Sequence, residues 1–155
     1  MKKVNDARWA EPVFLKVAPD LVEADIDAIV KAVQVHALSG LIVSNTTLER
    51  PESLKSAHKG EAGGLSGLPL KTRSTEVLRQ FRQRTGPDLP IIGVGGIDGP
   101  EAAYAKIRAG ANAVQLYTAL VYQGPGLALK IRDGLAALLK ADGFEHVSDA
   151  VGVDV

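Results

Sequence analysis

Four groups of polar or glycine residues in this sequence accompany short apolar runs, and together they could hold a ligand. Lys16 lies within the first run, and residues 44–47 (Ser-Asn-Thr-Thr), 95–96 (Gly-Gly) and 117–118 (Tyr-Thr) end or follow the other three. Hydroxyls, amides and a fixed cation are the groups that bind carboxylates, phosphates and planar amides. The pattern therefore predicts a ligand site assembled from the ends of several strands.

The glycines point to a phosphate. Residues 93–97 read Gly-Val-Gly-Gly-Ile, and the next helix is predicted to begin at Asp98 or Pro100. Glycine lets the backbone approach a ligand closely, and the free N–H groups at a helix start favour an anion. A tight turn that needs glycine only for its dihedral angles explains this motif equally well. Tyr117 and Thr118 after the next run favour the phosphate, because barrels commonly bind one after their last two strands.

Three further features each have two interpretations. Lys16 is a charge in an apolar strand, so we expect it to be buried with a partner, unless its head group reaches solvent. Residues 44–47 could form hydrogen bonds to a planar ligand, or they could form a capped turn. Residues 63–67 (Gly-Gly-Leu-Ser-Gly) resemble a linker, but the apolar residues 68–70 that follow do not. The loop from Thr47 to Leu70 is therefore either a functional lid or disordered.

The elements that must position these groups alternate along the chain. Nearly continuous apolar runs at residues 13–17, 41–44, 91–94 and 113–116 predict buried parallel strands covered on both faces. Apolar stripes at helical spacing predict intervening helices, of which the second has Ser74 as a capping candidate and the third covers residues 100–108. The stripe residues of the first, second and last helices are Ile26, Ile29, Val30, Val33, Ala37, Val77, Leu78, Phe81, Leu127, Ala128, Ile131, Leu135, Leu138 and Leu139.

This order fits an α/β fold, either an open doubly wound sheet or part of a barrel. Polar or glycine residues at the end of every strand favour the barrel, whose site lies at the carboxyl ends of its strands. A complete barrel takes about 250 residues, so residues 12–155 are predicted to form four parallel βα units, half of a (β/α)8 TIM barrel, after a lead-in at residues 1–11. The open edges of a half-barrel predict self-association or pairing with the missing half.

Composition excludes several classes of function. Lysine plus arginine equal aspartate plus glutamate at 18 each, so no net charge favours nucleic acid. Cysteine is absent, and His36, His58 and His146 lack metal-ligand spacing, so we expect no metal site. No apolar run is long enough to span a membrane, and we expect a soluble chain. Trp9 is predicted to be a packing anchor.

Five segments, taken together and in order, closely resemble dihydroorotate dehydrogenases of the quinone-dependent class 2. They are Leu-Lys-Val-Ala-Pro-Asp at 15–20, Gly-Leu-Ile-Val-Ser-Asn-Thr-Thr at 40–47, Gly-Gly-Leu-Ser-Gly-Leu-Pro-Leu at 63–70, Ile-Ile-Gly-Val-Gly-Gly-Ile at 91–97 and Val-Gln-Leu-Tyr-Thr-Ala-Leu at 114–120. The resemblance covers nearly the whole chain but only the second half of the family's barrel. Ser44 stands where the family usually has threonine, which keeps the hydroxyl.

The resemblance implies a flavoprotein with FMN that oxidises dihydroorotate to orotate in pyrimidine (UMP) biosynthesis and passes electrons to a quinone. Lys16 would stabilise the reduced flavin through its charge, and Ser44 would contact the flavin. The remaining implied cofactor residues, around the flavin's phosphate, are Gly67, Gly96, Tyr117 and Thr118. Asn45 and Thr46 would hold orotate. Family members are peripheral to the cytoplasmic or the mitochondrial inner membrane.

The family's catalytic base is a serine in the first half of its barrel, and nothing in this sequence matches it. We therefore expect no catalytic base here and no activity from the chain alone. One alternative is a non-catalytic half-barrel that binds flavin or phosphate and pairs with itself or with a separate first half. A phosphosugar isomerase or synthase would share the phosphate site, but it needs a carboxylate at a strand end, and no predicted strand ends in one.

Overall fold

The computed structural model describes residues 11–155. The predicted lead-in and Trp9 therefore lie almost entirely outside the described residues. The strands are β1 (Phe14–Val17), β2 (Gly40–Val43), β3 (Ile91–Val94) and β4 (Ala113–Gln115). The helices are α1 (Glu23–Val35), α2 (Lys71–Thr85), α3 (Pro100–Arg108), α4 (Thr118–Gln123) and α5 (Leu127–Ala141), with short 3-10 helices at Leu68–Leu70 and Val147–Ala150.

The four strands form one parallel sheet in the order β1-β2-β3-β4. An open doubly wound sheet reverses its strand order and carries helices on both faces. Here the order never reverses, so right-handed crossovers place the connecting helices on the same side. The arrangement is four consecutive βα units of a (β/α)8 barrel, as the sequence predicts.

The core lies between the sheet and its helices. Strand side chains alternate between the two faces. One set, which includes Val17, Leu41, Val43 and Ile91, packs with apolar residues of α1 and α2 in a single buried cluster. Phe81 is fully buried at its centre. This cluster fixes the helices against the strands whose ends carry the polar residues.

The other face of the sheet is open, which corrects the prediction of strands covered on both faces. Lys16 pairs in register with Ile42, Ile42 with Ile92, and Ile92 with Ala113, so this row crosses the sheet on one face. Lys16 and Ala113 are exposed, and the two isoleucines are only partly buried. The apolar runs are continuous because this second set would face a barrel interior, which the described residues do not fill.

Helix boundaries differ from the predictions in three places. Helix α2 begins at Lys71, so Ser74 lies buried within its first turn and is not its cap. Ala37 falls beyond the end of α1 with a φ of 48°. The short helix α4 was not predicted. It has only six residues, too few to show the helical periodicity by which helices are recognised.

No helix among residues 11–155 is both long and apolar enough to cross a membrane.

Candidate functional site

A cleft of about 650 Å³ lies at the carboxyl ends of the four strands. Its lining includes all eight residues singled out from the sequence, which come from four separate βα units. They are Lys16, Ser44, Asn45, Thr46, Gly67, Gly96, Tyr117 and Thr118. The volume is within the usual range for small-molecule and cofactor sites.

The turn after β3 requires its glycines. Gly95 and Gly96 have φ angles of 106° and 68°, a region that other residues rarely adopt. A Cβ on Gly96 would overlap the Cα of Lys71 at the start of α2. A Cβ on Gly95 would lie 2.9 Å from Leu70 Cδ2. The turn therefore needs glycine both for its dihedral angles and for its close approach to α2, and it presents bare backbone to the cleft.

The long loop and the start of α4 meet at the cleft. The Thr118 hydroxyl donates to Ser66 Oγ at 3.0 Å. Gly67 has a φ of 77°, and a Cβ there would lie 3.2 Å from Thr118 Cγ2. Gly64 lies against Thr46 so closely that a Cβ would overlap Thr46 Oγ1. The glycines of this loop thus let it lie over two of the strand ends.

Residues 44–47 form a capped turn, one of their two predicted interpretations, and ligand binding by them stays a prediction. The Val43–Ser44 peptide is cis, Ser44 is buried, and the backbone N–H of Asn45 donates to Val17 O at 2.7 Å. The Thr47 hydroxyl donates to Asp20 Oδ1 at 2.6 Å, and the Leu48 N–H donates to Asp20 Oδ2 at 2.7 Å. Asp20 therefore anchors the far end of a turn whose Asn45 side chain is left exposed.

Lys16 lies at the cleft but is exposed, so the prediction that it is buried is wrong. The error has a physical cause, since Lys16 lies on the open face of the sheet. Its side chain remains accessible to solvent, as the alternative interpretation had it.

One cleft carboxylate is paired. Asp98 lines the cleft, and its Oδ1 lies 3.2 Å from Lys71 Nζ, with both side chains partly exposed. The pair leaves no net charge at this point of the wall. An acidic residue beside the glycine turn is therefore compatible with an anionic ligand.

Arg50 organises the long loop. Its guanidinium donates to the carbonyl oxygens of the loop backbone, among them Lys59 at 3.1 Å and Gly63 at 2.6 Å. Thr47 and Leu65 also form an isolated antiparallel bridge. These contacts hold the loop in one conformation, against the disordered interpretation, and the lid stays a prediction.

Four residues of this neighbourhood were not predicted from the sequence, namely Asp20, Arg50, Lys71 and Lys106. Lys106 had a recognisable signal, because it lies three residues after Ala103 on the apolar stripe of α3. Arg50 had no such signal in the sequence, since its partners are backbone carbonyls. Among the described residues, no group of three or more His, Cys, Asp or Glu side chains could hold a metal ion.

Comparisons with known proteins agree on one family. The family model described as "Dihydroorotate dehydrogenase" matches residues 1–139. A "Dihydroorotate dehydrogenase (quinone)" of Cereibacter sphaeroides is 57% identical over 141 residues, which are 91% of this chain and 40% of that protein. One of the same name from Halobacterium salinarum is 52% identical over 158 residues, 100% of this chain and 44% of that protein.

A solved structure gives the same result. Ligand-free DHODH from Eimeria tenella superposes with a TM-score of 0.88 at 45% identity and covers 91% of this chain. The match covers 39% of that chain. The chain thus spans less than half the length of the relatives it matches.

Proposed function

Because the chain belongs to the dihydroorotate dehydrogenase family, we propose that it forms the FMN-holding half of a quinone-dependent member of that family. The whole enzyme would oxidise dihydroorotate to orotate in pyrimidine biosynthesis, pass electrons to a quinone and associate with a membrane. The observation that carries the proposal is the convergence of all eight predicted residues on one cleft.

The cleft has features that suit FMN. The turn at Gly95 and Gly96 lines the cleft with backbone and no side chains, and it precedes the start of α3 at Pro100. Backbone N–H groups at such a position favour a phosphate. With Gly67, Tyr117 and Thr118, this turn would hold the ribityl phosphate, while Lys16 and Ser44 would contact the flavin ring.

FMN, when bound, supplies the two-electron redox chemistry. The residues of this chain would bind the flavin and orient the substrate beside it. The exposed Lys16 ammonium would favour negative charge on the adjacent ring, and Asn45 and Thr46 would donate to and accept from the carboxylate and amide edge of the substrate. We assign no proton-transferring base to this chain, and the base would come from the other half of the barrel.

A chimaera tests the proposal. This chain would replace the matched segment of the Cereibacter sphaeroides relative, and we expect dihydroorotate-dependent dye reduction. Asn45→Ala should raise the KM for dihydroorotate at least about tenfold, the cost of one lost hydrogen bond to a charged or buried partner. Gln34→Ala, which removes an exposed amide on α1, should leave the KM unchanged.

Two results would contradict the proposal. One is a folded chimaera that binds no FMN or does not turn over. The other is turnover by the isolated chain near that of a full-length relative, because the base would then lie within these residues.

The open face of the sheet favours a second candidate, a non-catalytic half-barrel that pairs with another copy. Lys16 and Ala113 are exposed on that face, and β1 and β4 are both edge strands. Unpaired edges promote association. Analytical ultracentrifugation should give a discrete dimer with stoichiometric flavin if this candidate is correct, and a monomer would exclude it.

A further inference from the structure

Lys106 on α3 is a buried lysine without an acidic partner. It is only 1% exposed, and its Nζ donates to Ser74 Oγ at 2.8 Å and to Thr75 Oγ1 at 3.0 Å. None of the ion pairs between described residues includes it. Desolvation by burial, and after it the nearby charge of Lys71, lower the pKa of its ammonium group to about 7. A buried cation held only by hydroxyls is costly, so its position needs an explanation.

The hydroxyl partner of Lys106 connects it to the cleft. The Ser74 hydroxyl donates to two backbone carbonyl oxygens, that of Gly95 at 3.0 Å and that of Lys71 at 3.1 Å. The stem of the lysine passes behind the end of β3, where a Cβ on Gly93 would lie 3.1 Å from Lys106 Cδ. A chain of two hydrogen bonds thus runs from the ammonium through Ser74 to the glycine turn.

This chain fixes the orientation of the turn. The Gly95 carbonyl is held on the α2 side by Ser74, which leaves the remaining backbone of the turn on the cleft side. Both residues lack a Cβ, so the turn has wide conformational freedom unless something restrains it. Lys106 restrains Ser74, and a positive charge in a poorly solvated position also attracts an anion in front of the turn more strongly than a surface charge would.

We propose that Lys106 is a positioning residue for a phosphomonoester in the cleft, acting through Ser74 on the Gly95–Gly96 turn. The inference rests on the proposed function, because it assumes that the phosphate of a flavin nucleotide lies at this turn. Beyond the proposed function, the inference assigns a role to Lys106, a buried group that does not touch the ligand. The compensating negative charge that Lys106 lacks within the described protein would come from the bound phosphate.

The experiment compares FMN with riboflavin, which has the same ring system without the phosphate. Both would be titrated into the full chain by flavin fluorescence quenching. For Lys106→Met we expect the Kd for FMN to rise at least about tenfold and that for riboflavin to stay within about twofold, because a neutral side chain of similar length removes the charge and the hydrogen bond to Ser74. Lys130→Met, an exposed lysine on α5, is the matched control and should change neither.

Ser74→Ala provides an independent variant that keeps the lysine and breaks the link. It should also reduce the preference for FMN over riboflavin, and it decides the question if Lys106→Met fails to fold. If the wild-type chain prefers FMN and both folded variants keep that preference, the role of Lys106 is overturned while the proposed function stands. A wild-type chain that binds FMN no better than riboflavin would overturn the proposed function, and this inference with it.

Discussion

Replacing Gly96 with alanine is expected to lower the free energy of unfolding by about 3 kcal/mol and to reduce FMN affinity at least about tenfold. The loss has two parts. A φ of 68° costs any residue with a Cβ about 1 kcal/mol. The new Cβ would also overlap the Cα and backbone nitrogen of Lys71, which begin α2 and cannot move cheaply, at about 2 kcal/mol. Urea denaturation and FMN titration measure the two effects.

Gly143→Ala measures the cost of the positive φ without the cost of the overlap. Gly143 has a φ of 81°, but nothing lies within 4 Å of a Cβ built there, and it is outside the cleft lining. It should lose only about 1 kcal/mol and leave FMN affinity unchanged. Equal losses of stability in the two variants would mean that the approach of the glycine turn to α2 is not close.

Arg82→Met is expected to destabilise the chain by about 4 kcal/mol, because it removes the donor from four buried or partly buried acceptors at once. Arg82 is 5% exposed. Its guanidinium donates to the carbonyl oxygens of Gly86 at 2.6 Å, Leu89 at 3.0 Å and Gly110 at 2.9 Å, and to Asn112 Oδ1 at 2.8 Å. These bonds tie α2 to the residues that lead into β3 and β4, so thermal and urea unfolding should both register the loss.

Arg79→Met is the matched control on the same helix. Arg79 makes an ion pair with Glu76 at 2.9 Å and is about one-third exposed, so its loss should cost about 0.5 kcal/mol or less. Similar destabilisation by the two substitutions would show that the buried hydrogen bonds of Arg82 contribute little.

The four strands could be predicted because each run is apolar over its whole length and has turn residues beside it. Ile91–Val94 has the bounds that the sequence predicts, and Gly40–Val43 differs by one residue at each end. The shared location of the site residues was also predictable, since the carboxyl ends of consecutive parallel strands meet at one edge. The strand order and the residue types are enough to predict this location.

Burial was harder to predict than position. Lys16 lies in a run that looks fully buried, but an apolar run cannot distinguish a strand covered by helices on both faces from one whose second face lines a barrel interior. Lys106 shows the opposite case, a charge that is buried in full. For Lys16 the deciding factor is which element packs over the side chain, and that depends on contacts distant in sequence, whereas Lys106 is marked only by its place on the apolar stripe of α3.

The order of the long loop could not be predicted for another reason. Arg50 holds it through backbone carbonyls, which every residue has, so no side-chain pattern marks the partners. The glycine-rich composition of residues 63–67 alone favours a flexible linker. The hydroxyl contact between Ser66 and Thr118 likewise joins residues 52 positions apart.

A crystal structure of this chain grown with FMN tests the central claim most directly. We predict the phosphate beside the backbone of Gly95 and Gly96 and the Thr118 side chain, with the flavin ring close to Lys16. Flavin bound elsewhere on the chain, or a phosphate held away from the glycine turn, would contradict the claim.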